Sequence, residues 1–135
     1  MLRLALGLLL FSTFAVSLPA SAEIAGATVD GTWDCAGVDG AALGTVVIAD
    51  KTYAFVKLDG RVGGYGKLIR VGYEEYHLPH YVVIDGYLKD EIGAIGIGMT
   101  GPRGNEHDLA GELFLELVIS ETNTPYCRRR VTPAS

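Results

Sequence analysis

The densest run of chemically capable side chains is Glu74-Glu75-Tyr76-His77-Leu78-Pro79-His80. A metal ion needs imidazoles and carboxylates that converge on one point. His77 and His80 are three positions apart, which on a strand sends them to opposite faces. Only a turn at Pro79 would bring them together, and His107 lies far along the chain. The spacing favours a solvated polar loop, and no metal ligand is assigned. Gly96-Ile97-Gly98-Met99-Thr100-Gly101 fits G-x-G-x-x-G. A dinucleotide site requires that turn between a strand and a helix, inside a βαβ unit. Here Pro102-Arg103-Gly104-Asn105 follows, which reads as a loop, and no βαβ unit is visible. The glycines read instead as small residues that let a neighbouring face pack closely. No cofactor is expected.

Nucleophiles are scarce. Beyond Ala22 the serines are Ser120 and Ser135, and neither sits in a G-x-S-x-G elbow. Asp90 and Glu91 are adjacent, so their side chains diverge, whereas a glycosidase pair faces across a cleft of about 5–10 Å. No catalytic residue is assigned, and the chain is not expected to be an enzyme. Arg128-Arg129-Arg130 is the one basic run. On a strand, Arg128 and Arg130 face opposite to Cys127 and Arg129. The run could bind an anion, an acidic partner or an anionic envelope surface. It could equally be a solvated edge that discourages strand pairing. Seven tyrosines (53, 65, 73, 76, 81, 87 and 126) suit half-buried strands. Gathered at the mouth of a barrel, they would form a binding surface.

The compartment follows from the first residues. Arg3 precedes an apolar run from Leu4 to Val16, then Pro19, then Ala20-Ser21-Ala22. That is the order of a secretory signal peptide cleaved after Ala22. The run is shorter than the roughly 20 residues that cross hydrocarbon, and no second such run follows. The expectation is a signal peptide over 1–22 and a soluble domain over 23–135, periplasmic or secreted. The whole chain has 11 basic and 16 acidic residues, net −5. Loss of Arg3 takes the mature domain to −6, a charge that disfavours nucleic acid.

In an oxidising compartment the two cysteines, Cys35 and Cys127, are expected to pair. The loop they enclose is 93 residues long. Closing such a loop removes up to about 4–5 kcal/mol of entropy from the unfolded chain. The bond is therefore read as structural.

These residues must be positioned by short strands. The chain alternates apolar and polar positions in short runs punctuated by Gly, Asp, Asn or Pro, the pattern of an all-β domain. The runs are 32–36, 44–49, 52–58, 64–71, 73–78, 80–85, 92–100, 109–119 and 126–131. Asp50-Lys51 and Asp59-Gly60 mark hairpin turns. The 109–119 run has helix-favouring composition, but its period of two from Leu113 to Ile119 predicts a strand. About eight short strands with hairpin connections predict a small antiparallel up-and-down β-barrel, with a β-sandwich as the alternative. In the barrel the first and last strands are neighbours. Adjacent strands lie about 5 Å apart, so a Cys35–Cys127 bond would staple the seam.

Gly31-Thr32-Trp33 in the first strand resembles the G-x-W signature of calycin-like barrels, which include lipocalins and small periplasmic inhibitors of bacterial metalloproteases. The resemblance implies an up-and-down barrel closed at the bottom by the Trp. In the inhibitors an N-terminal arm enters the protease cleft, a part that Glu23 to Val29 would play here.

Three functions are carried forward. The first is a non-catalytic binding or structural module with a protein or small-molecule partner. The second is a periplasmic protease inhibitor, and the third an enzyme that uses carboxylates or a metal from Glu74–His80.

Overall fold

Residues at every second position of each run are apolar, so each strand has one face to bury. Curling the sheet until its last strand meets its first buries that face and leaves no open edge. The computed structural model of the chain does this. It describes residues 28–71, 78–101 and 112–131. The strands are β1 Gly31–Ala36, β2 Ala42–Ala49, β3 Thr52–Val56, β4 Val62–Val71, β5 His80–Val83, β6 Gly96–Thr100, β7 Phe114–Val118 and β8 Tyr126–Arg129. They pair in chain order, all antiparallel, and β8 returns to β1. This is the up-and-down barrel, not the sandwich. No helix among the described residues is long and apolar enough to cross a membrane.

The inward positions fill the barrel: Trp33, Val46, Ile48, Phe55, Ile97, Met99, Leu115 and Leu117 are all buried. On β3 the inward residues are Tyr53 and Phe55, and their partners on β4 are Gly66 and Gly64. A side chain at Gly66 would overlap the Tyr53 ring and the Asp85 carbonyl. The Tyr53 ring occupies the space that Gly66 leaves vacant, the Phe55 ring lies over Gly44 on β2, and the Tyr87 side chain lies over Gly64.

The turns have local causes. Gly37–Ala41 and Lys57–Arg61 are the same three-residue hairpin loop used twice. In each, the glycine amide (Gly40, Gly60) donates to the carbonyl three residues back, and the glycine stands at φ 88°. An aspartate before it, Asp39 or Asp59, accepts the amide two residues on, at 3.0 and 2.9 Å. This is a type I turn with a glycine bulge. Asp50 and Lys51 form a two-residue turn, both at positive φ, as the tight turn there requires.

Several strands are shorter than the runs that predict them, β3, β5 and β8 at their ends. The run from Ile92 to Thr100 becomes a strand only at Gly96, because Leu88–Ile92 forms a single wide helical turn. Gly93, left-handed at φ 87°, ends it, and the Ala94 amide reaches back to the Leu88 carbonyl at 2.8 Å. Leu88 is fully buried, so the turn plugs one end of the barrel. Of the 109–119 run, Phe114–Val118 is strand. The run 73–77 lies outside the described residues, and Leu78 belongs to no strand.

At the seam, Cys35 and Cys127 stand directly opposite each other on β1 and β8 and are bonded. Their Cα atoms are 3.8 Å apart. Trp33 lies at the opposite end from the helical turn. Its indole N–H donates to the Val29 carbonyl at 2.8 Å.

Candidate functional site

The three arginines that the sequence singled out are all engaged. Arg130 Nε donates to Asp34 Oδ2 at 3.0 Å, and its Nη2 meets Asp34 Oδ1. The Thr45 hydroxyl donates to the same carboxylate at 2.8 Å. Arg130's hydrogen bond, with help from Thr45, lowers the Asp34 pKa against an opposing effect of burial. Arg128 pairs with Glu112 at 3.0 Å. Arg129 turns inward, its guanidinium 4.3 Å from the Trp33 ring centroid. It also donates to the carbonyls of Asp30 and Thr28 at 2.7 and 2.6 Å. Arg129 and Arg130 thus fasten β8 to β1 and to the segment before β1, while Arg128 reaches toward β7. As expected, Arg128 and Arg130 share one face and Arg129 shares the other with Cys127.

The other candidates among the described residues are dispersed. Glu74 to His77 and His107 lie outside the described residues, as do Ser135 and the arm up to position 27. His80 opens β5, with Nδ1 2.8 Å from the Leu78 carbonyl oxygen and its ring packed on Gly98. That contact accounts for one glycine of Gly96–Gly101, which runs as strand β6 and not as a strand-to-helix turn. Ser120 makes a bridge to Asn123 in the β7–β8 turn. Asp90 and Glu91 sit exposed on the helical turn. Among the described residues no three His, Cys, Asp or Glu side chains gather where they could hold a metal.

The described tyrosines do not collect at a barrel mouth. Tyr53 is buried inside, its hydroxyl donating to the Asp85 carbonyl at 2.7 Å and accepting from the Leu88 amide at 2.9 Å. Burial pushes this phenol's pKa up. Tyr87 stacks on Phe55 with centroids 4.7 Å apart. Tyr81 lies beneath Arg70. Tyr65 alone stands well out of the wall, 69 % exposed.

Tyr65 borders the feature best suited to a ligand. Across the outside of β2, β3 and β4 runs an open groove of about 700 Å³. Val47 on β2 is opposite Ala54 on β3, and Ala54 is opposite Tyr65 on β4. Ala49 continues the floor. Because alanine has no side chain beyond Cβ, the floor is low and the Tyr65 ring forms a wall. Thr52, Lys67 and Asp85 line the polar margin. One Asp85 carboxylate oxygen accepts the Lys67 backbone amide at 2.9 Å, which fixes the loop that leaves β5.

The apolar surface continues past the groove. Ile69, 57 % exposed, is opposite Val82, 45 % exposed, and Val82 is opposite Gly96. Strands β2 to β6 contain no acidic residue and only two charged ones, Lys67 and Arg70. Sequence reasoning missed this wall because it sought reactive groups. The available signal was alternation in which the outward residues, too, are Val, Ala, Tyr and Ile.

Comparison with protein-family models, with curated proteins and with solved structures finds no match for this chain.

Proposed function

We propose that the chain is a non-catalytic binding module of an oxidising compartment, the periplasm or the cell exterior, and that it binds through the groove on β2–β4. The observation that carries this reading is Tyr65, a large ring beside an alanine floor and 69 % exposed. A surface of this kind serves no packing purpose in the barrel. Apolar side chains that are exposed together along a groove mark ligand-binding sites in soluble proteins. Signal-peptide removal after Ala22 and the disulfide fit the proposed compartment. A calycin-like relationship belongs to the same proposal, supported by the closed eight-strand barrel and by Trp33 buried at its end.

Amide-shift mapping tests the binding site. Isotope-labelled protein is titrated with 1-octanol, a neutral apolar probe. Shifts that saturate at Val47, Ala54 and Tyr65 are the expected result. Shifts confined to other surfaces, or none up to the solubility limit, would overturn the assignment.

A further inference from the structure

The groove has an apolar floor throughout and a cation at one end. Lys67 is outward-facing and exposed on β4, and among the described residues its ammonium has no ion-pair partner. Its neighbours across the ladder, Thr52 on β3 and Ile84 beyond β5, carry no charge. The one carboxylate on the margin, Asp85, already accepts the Lys67 backbone amide through Oδ1. From these features we infer that the groove takes an anionic amphiphile: an apolar body along Ala49, Ala54 and Val47 beside Tyr65, and one carboxylate-class head group at Lys67. The inference rests on the groove being the binding site and adds the head group.

Charge complementarity selects this occupant. An alkyl or aryl body gains from leaving water in proportion to the area it buries, which any apolar ligand shares. The head group distinguishes ligands. A neutral head leaves the Lys67 ammonium as it was, and a cationic head is repelled by it. An anionic head gains a Coulomb attraction that is modest at an exposed site and falls as salt is added. Asp85 opposes an anion from the same margin, so Asp85→Asn strengthens anion binding.

The test compares octanoate, 1-octanol and octylamine on the intact mature protein, followed by amide shifts at Ala54 and Tyr65. At low salt octanoate is expected to bind about three- to fivefold more tightly than octanol, the range of one exposed ion pair. Lys67→Gln should bring octanoate down to the octanol value, Lys67→Arg should retain the preference, and molar salt should erase it. Equal binding of octanoate and octanol, tighter octylamine, or indifference to Lys67→Gln would overturn the head-group inference while leaving the groove in place. If no probe shifts the groove residues, the groove reading and this inference fall together.

Discussion

β8 and β1 are held together by cross-links, whereas β2, β3 and β4 are held together by their own connections. The chain does not pass from β8 to β1, so nothing in its covalent path keeps them adjacent. The seam instead carries the Cys35–Cys127 bond, the Arg130–Asp34 pair with Thr45, and Arg129 beneath Trp33. β2, β3 and β4 are joined by tight turns at 50–51 and 57–61, and inside the wall Tyr53 packs over Gly66 on β4 and Phe55 over Gly44 on β2. Beyond Thr45, their outer face over Val47, Ala54 and Tyr65 has no fastening to do. Charged side chains concentrate where strands need holding, and the wall that holds itself is left bare and apolar. That contrast is why the candidate site lies on β2–β4 and not on the basic run.

Removing the disulfide breaks the seam most severely. The double variant Cys35→Ala, Cys127→Ala is expected to lose up to about 4–5 kcal/mol in denaturant unfolding, because its loop is long. A loss under 1 kcal/mol would show that the ladder and arginines hold the seam unaided.

Filling the glycine vacancy attacks the other region. Gly66→Val places side-chain atoms where the Tyr53 ring and the Asp85 carbonyl already lie. It should cost about 1–3 kcal/mol or more. A neutral result would mean that the ring and loop have room to shift. Tyr53→Phe leaves the Leu88 amide and the Asp85 carbonyl without a partner, with an expected cost of about 1–3 kcal/mol.

The same phenol contributes to alkaline behaviour. Its pKa is raised by burial. The stability tied to its neutral form is therefore full below about pH 10 and lost as pH rises further. Tyr53→Phe should remove that part of the alkaline transition, which melting curves between pH 8 and 11 would register.

At the seam surface the sign is reversed. Arg130 keeps the Asp34 carboxyl below its ordinary pKa. The stability it contributes is present above about pH 4 and disappears as pH falls through the lowered value. Asp34→Asn should flatten the acid limb of melting temperature against pH, with a small effect at pH 7. Smallest of all, Tyr65→Ser should change unfolding free energy by no more than about 0.5 kcal/mol, while abolishing shifts caused by octanol. A large loss of stability would mean that the groove wall is structural.

The sequence by itself determined the strand alternation, the turns at 50–51 and 59–60, and the Cys35–Cys127 pairing. These depend on neighbours along the chain or on having only two thiols to pair. It also foretold the opposite facing of Arg128 and Arg129, since period two is a local property. Only the tertiary structure decided that Leu88–Ile92 is a helical turn, because burial of Leu88 in the barrel end outweighs the strand pattern that follows. Only closure of the barrel placed Asp34 beside Arg130, 96 residues apart, turning a candidate anion site into a fastening. The groove was hidden for the same reason. Val47, Ala54 and Tyr65 are each unremarkable in sequence and become one surface only through the register of three strands.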